Sequence, residues 1–160
     1  MEIDHQELEI LLSVVIATVL CGIVGYERES RDKPAGLRTN MIVGGFSCLI
    51  VSLSLPLVDF IHNYELHEAV KADPIRILQA LVVGISFIGA GTIIKQNNDK
   101  VKGLTTAATL LYCLGIGIAT ALHKYIIAVG ITFIILIINY SFTRVKEKIT
   151  DDLGEGKVPN

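Results

Sequence analysis

Residues 10–26 read ILLSVVIATVLCGIVGY, 17 positions without a single Asp, Glu, Lys or Arg, and residues 27–38 follow at once as ERESRDKPAGLR. A helix resting on a small soluble core shows water a charged stripe, and residues 10–26 have none to show. At a rise of about 1.5 Å per residue, a run of this length covers most of the hydrocarbon core of a bilayer. Moving outward, the pattern recurs four times, over Thr39–Val58, Ile77–Ile94, Gly103–Leu122 and Tyr125–Thr143. The five runs hold 94 of the 160 residues, so all 14 basic and all 16 acidic side chains fall in the remainder. That segregation, in a chain that is 51% hydrophobic, excludes a soluble globule, a disordered chain, a coiled coil and a disulfide-stapled secreted domain. The predicted fold is all-α: a polytopic transmembrane bundle with spans at about 10–26, 39–58, 77–94, 103–122 and 125–143.

Orientation follows from the Lys and Arg census. The arm before the first span carries Glu2, Asp4, Glu7 and Glu9 and no basic residue, which argues against a cleaved secretory leader. The first and third connections and the C-terminal segment together carry eleven Lys and Arg, and the opposite face carries three. Basic residues collect on the cytoplasmic side, so the N-terminus is expected outside and the C-terminus inside. On this reading residues 1–143 form the transmembrane domain and 144–160 a short cytoplasmic tail, a helical extension ending in disorder. Cys21, Cys48 and Cys113 all fall within spans and read as small buried side chains. His5, His62, His67 and His123 map to the outer face without ligand spacing. No metal site, cofactor, catalytic group or nucleic-acid partner is expected.

Local signals mark the boundaries. Asp73-Pro74 is an N-cap followed by proline in a first turn. Pro56 lies near the end of the second span, and Gln96 to Asp99 reads as a polar turn. Gly36-Leu37-Arg38-Thr39 opens the second span and Gly103-Leu104-Thr105-Thr106 opens the fourth, 67 residues later. Two helical hairpins of like orientation would give that echo, and so would coincidence. Lipid offers little hydrophobic force between helices, so small residues and hydrogen bonds must hold them. Thr18, Gly22 and Gly25 provide such a stripe on the first helix, and Asn40, Gly44, Ser47 and Ser54 on the second. Gln79, Ser86 and Ala90 do so on the third, and Thr105, Thr109 and Tyr112 on the fourth. A compact four-helix centre is expected, with the fifth helix peripheral or turned toward a second copy in a homo-oligomer.

The chemistry concentrates at the inner boundary. Glu27 and Glu29 stand among Arg28, Arg31 and Arg38, where partial desolvation strengthens pairing. If the first helix continues past Tyr26, Glu27 and Arg31 share a face and pair. The simpler reading is a topology anchor whose arginines meet lipid phosphate.

The string Gly22-x-x-Gly25-Tyr26-Glu27-Arg28-Glu29, then Arg31-x-x-x-Ala35-Gly36-Leu37-Arg38-Thr39, resembles the N-terminal signature of the MgtC/SapB family of bacterial inner-membrane proteins. Gly84-Ile85-Ser86-Phe87-Ile88-Gly89-Ala90-Gly91-Thr92-Ile93 and Gly103-Leu104-Thr105-Thr106-Ala107-Ala108 are similar to its second and third motifs. The resemblance implies a multi-pass protein of the bacterial inner membrane tied to magnesium limitation and to virulence. It also implies inhibition of the F-type ATP synthase rather than magnesium movement. Longer members carry a cytoplasmic C-terminal domain, and the resemblance is to a short form expected to do without it. The motif positions carried over are Glu27, Arg28, Glu29, Arg31, Gly36, Arg38, Thr39, Asn40, Gly89, Gly91, Gly103, Thr105 and Thr106.

Three function classes compete. A membrane-embedded enzyme is weakest, because no nucleophile pair, HExxH or phosphate loop lies at membrane depth. A magnesium or other ion transporter needs hard oxygen ligands, typically carboxylates, along its path, and none of the five spans contains Asp or Glu. A regulator that docks on another membrane complex fits better, although an oligomeric pore stays open as an alternative.

Overall fold

A computed structural model describes residues 5–63, 73–95 and 101–154. Five helices follow in order: α1 His5–Glu29, α2 Leu37–Asn63, α3 Pro74–Gly91, α4 Leu104–Ala121 and α5 Tyr125–Gly154, with a two-stranded ribbon, β1 Ile94–Lys95 and β2 Val101–Lys102, between α3 and α4. Four helices, α1 to α4, are long and apolar enough to cross a membrane, and α5 is apolar over Tyr125–Tyr140. The protein is an all-α helical membrane protein. Its outer surface agrees: Ile126 is 91% exposed, Phe87 81% and Val83 69%, an apolar display that lipid can cover.

Side-chain pairs give the arrangement. On α1 and α2 the neighbours run in opposite sequence directions, Gly25 against Leu37, Gly22 against Met41 and Gly44 against Cys21, so the two helices form an antiparallel hairpin. A methyl group at Gly25 would lie 2.7 Å from Leu37 Cα, backbone against backbone, which only glycine allows. Between α2 and α4 the order is parallel, with Asn40 beside Cys113 and Gly44 beside Gly117. Helix α5 runs parallel to α1, since Ser13 meets Tyr125 and Glu27 meets Asn139, both at a separation of 112 residues. In α3, Gly89 lies against Ala107 of α4.

Helix α4 is the hub, touching α1, α2, α3 and α5. Of the four long helices it is the most buried and α3 the least. The core is lined by small side chains, with Ala17, Cys21, Cys48, Cys113 and Ala128 fully buried around Val24, Leu110 and Ile116. Ser47, Thr109, Thr120 and Thr132 each donate to the carbonyl four residues earlier in their own helix. Hydroxyls that satisfy themselves in this way can be buried at little cost.

The elements depart from expectation in several places. Helix α2 continues through Pro56 to Asn63 rather than stopping near it. Asp73 caps α3 as predicted, its Oδ1 accepting from Ile75 N–H at 3.0 Å, and the helix therefore starts at Pro74, three residues ahead of the charge-free run. That helix ends at Gly91, where Thr92 N–H and Oγ1 both donate to Gly89 O. Ile94, counted in the third span, instead pairs with Lys102 in the ribbon. The polar turn Gln96–Asp99, the acidic residues Glu2 and Asp4, and His67 lie outside the described residues. The face of α3 carrying Gln79, Ser86 and Ala90 is exposed, and Leu81, Ile85 and Gly89 turn inward. Nor is α5 the loosest element: Ala128, Thr132 and Ile135 are buried, so the centre is α1, α2 and α4 with α3 and α5 on its flanks.

Candidate functional site

The charged stretch after the first span forms a node where α1 ends, α2 and α4 begin and α5 passes by. Helix α1 does continue past Tyr26, as Ser30 N–H still bonds to Tyr26 O. Glu27 and Arg31 therefore share a face, with Glu27 Oε1 2.9 Å from Arg31 Nε. Both are drawn inward, at 15% and 22% side-chain exposure. Asn139 of α5 closes the pair: its Nδ2 donates to Glu27 Oε2 at 3.0 Å, and its carbonyl accepts from Arg31 Nη1 at 3.0 Å. The Arg31 guanidinium also lies over the ring of Tyr140, 5.5 Å from its centroid.

Neighbouring positions turn to other helices. Arg28 is only 4% exposed and donates through Nη2 to Thr106 Oγ1 of α4 at 2.7 Å. Glu29 Oε2 accepts the N–H of Leu37 at 2.7 Å, so the carboxylate ending α1 caps the start of α2 and meets the positive end of its dipole. Gly36 permits this, because a methyl group there would stand 2.7 Å from the same oxygen. Asn40 is fully buried; its Nδ2 donates to Ala35 O and Gly36 O, and its Oδ1 accepts from Cys113 Sγ at 3.2 Å. The α1–α2 turn is thus fastened to α4 through one amide.

Glu27, Arg28, Glu29, Arg31, Gly36, Asn40 and Thr106 are brought together, whereas Arg38 and Thr105 point outward and Thr39 is half-buried. Arg38 lies beside Met41 and Phe46 in an apolar groove and forms no ion pair among the described residues. Gly103 has φ of +96°, and a side chain there would collide with Thr92 O, so its place in the motif is conformational. Gly89 allows α3 to close on α4, while nothing lies within 4 Å of a methyl group at Gly91. The anchor reading fails for Arg28 and Arg31, which face protein, and suits Arg38. Sequence reasoning missed Asn139 and Tyr140 as partners. An asparagine inside an isoleucine run was a usable signal, because its amide needs a partner at that depth.

Chemically the node is occupied with itself. Both oxygens of Glu27 are engaged, one by Arg31 and one by Asn139, and a hard cation would have to displace them. Among the described residues no three His, Cys, Asp or Glu side chains converge as a metal centre would.

Comparison with known proteins gives consistent matches. The profile of the MgtC family matches residues 14–148. Protein SapB of Bacillus subtilis (strain 168) is 34% identical over 117 residues, 73% of this chain and 49% of that protein. The putative magnesium transporter YhiD of Escherichia coli (strain K12) is 38% identical over 117 residues, 73% of this chain and 53% of its own length. Protein MgtC of Salmonella typhimurium (strain LT2) is 34% identical over 140 residues, 87% and 54% of the two chains. The chain spans about half the length of these curated relatives. No solved structure matches it.

Proposed function

The chain belongs to the MgtC family, and from that premise we propose that it regulates another complex in the bacterial inner membrane, without catalysis of its own. The observation that carries this reading is the use made of its charges. Glu27 and Arg31 are spent on fastening α5 to α1, Glu29 on capping α2, and Arg28 on α4. Charges committed to holding helices in place build a rigid scaffold and leave no row of carboxylates along a path. The surface around that scaffold is apolar and membrane-facing, suited to docking against other transmembrane helices.

By family resemblance, the F-type ATP synthase is the complex we propose, with a role in adaptation to low magnesium and in virulence. Gentle solubilisation of native membranes followed by size-exclusion chromatography tests it. The protein should travel with the synthase, and synthase activity should rise when the protein is depleted. Migration alone, with unchanged synthase activity, refutes the proposal. A second reading, transport of magnesium, draws on the name of the Escherichia coli relative. It calls for carboxylate ligands along the path, and none of the five charge-free runs contains Asp or Glu.

A further inference from the structure

The hairpin of α1 and α2 leaves a groove of about 550 Å³ on its lipid side, beginning at Arg38 and ending at Leu49. Met41, Ile42 and Phe46 wall it from α2, and Val14 from α1. Its floor is Gly45, where a methyl group would stand 2.5 Å from Thr18 Oγ1, so the two helices touch beneath the opening. Thr18 is the one polar side chain of the lining besides Arg38, and its hydroxyl already donates to Val14 O at 2.7 Å. A polar ligand would lose its water there without finding a partner, whereas hydrocarbon loses nothing.

Length identifies the kind of hydrocarbon. Arg38 and Leu49 lie roughly three turns apart on one helix, about 16 Å. One leaflet supplies about 15 Å, half of the bilayer's hydrocarbon core. A partner's transmembrane helix would follow the apolar stretch of α2 over all of Leu37–Val58, but the groove stops midway along it. An acyl chain of a single leaflet starts at a headgroup and ends near the midplane, as the groove does.

Charge identifies the headgroup. Arg38 is exposed at the groove's mouth and forms no ion pair among the described residues. Arg28 and Arg31 turn to α4 and α5, so the Arg38 guanidinium alone of the three faces the headgroup layer. Guanidinium and phosphate oxygens match in geometry, and a headgroup with no ammonium of its own leaves that attraction unopposed.

We propose that this groove holds one phospholipid of the leaflet beside the charged node, with an acyl chain lying over Gly45 and an anionic headgroup on Arg38. The inference does not depend on the regulatory reading above, and its test involves no other complex.

The chain contains no Trp, so a single introduced indole reports the lipid beside it. Phe46→Trp places that reporter in the groove. Phe133→Trp, exposed on α5 and as many residues from Asn139 as Phe46 is from Asn40, is the control. Each full-length variant is reconstituted in phosphatidylcholine vesicles containing a rising fraction of phosphatidylglycerol with brominated acyl chains, and fluorescence quenching is followed. At Phe46→Trp quenching should show about a fivefold preference for phosphatidylglycerol, the effect of one arginine near an anionic surface. At Phe133→Trp it should track the bulk composition. Adding Arg38→Gln to Phe46→Trp should remove the preference while quenching by brominated phosphatidylcholine stays unchanged. Quenching at Phe46→Trp that tracks bulk composition, ordinary boundary lipid only, overturns the proposal, as does a preference indifferent to Arg38→Gln. An indole shielded from every brominated lipid, as a second copy seated on the groove would leave it, overturns it too. Should Arg38→Gln lose its helical circular dichroism, the preference at Phe46→Trp with Arg38 intact must fall as salt is raised to about 1 M. A preference unmoved by salt overturns the proposal equally.

Discussion

Gly91 and Gly103 belong to adjacent motif strings, yet the structure gives them unequal burdens. At Gly103 a positive φ and the Thr92 carbonyl together exclude a side chain, so Gly103→Ala should cost about 1–3 kcal/mol. Gly91→Ala, with open space around the new methyl group, should be neutral or slightly stabilising. Thermal unfolding of both variants in one detergent measures the contrast. Glu29 gives a second case, because its carboxylate substitutes for a local N-cap eight residues away. Glu29→Ala should destabilise by about 1 kcal/mol, and Glu29→Gln by less, since an amide oxygen still accepts from Leu37 N–H. Gly103, Glu29 and Asn40 were all legible as members of a motif. What each does was not, because a positive φ, a cap reaching across a turn and an amide bonded to Cys113 are facts of three-dimensional neighbourhood.

Among the elements, the pairing of α1 with α5 carries the clearest consequence. Glu27, Arg31 and Asn139 form one bonded group, so substitutions within it should not add. A double-mutant cycle of Glu27→Gln and Asn139→Ala, followed by unfolding in mild detergent, should show coupling of about 1 kcal/mol. Additive effects would mean that the contact does not hold α5. Helix existence was readable because charge-free runs are long and lipid demands satisfied backbones. Packing order was less so. The exposed polar stripe of α3 and the buried face of α5 exchange the roles that residue size suggested, since small residues at helical spacing serve a contact only where another helix arrives. The separation of 112 residues between Glu27 and Asn139 put their contact beyond any local pattern.

At the scale of the whole molecule, the five helices alternate in direction, and the charged node and the ribbon gather at the end that the Lys and Arg census assigns to the cytoplasm. Membrane-impermeant maleimide tests that orientation: Lys124→Cys should react in intact spheroplasts, and Lys33→Cys only after lysis, the native cysteines being buried. The reverse pattern would invert the molecule. Apolar helices closed by small residues, with Glu27, Arg28, Glu29 and Arg31 each bonded to a neighbouring element at one end, are the basis of the proposed scaffold rather than conduit. Magnesium and proton flux into liposomes containing the pure protein tests that directly. Traces should overlay those of protein-free vesicles, whereas uptake that Glu27→Gln abolishes would contradict the account.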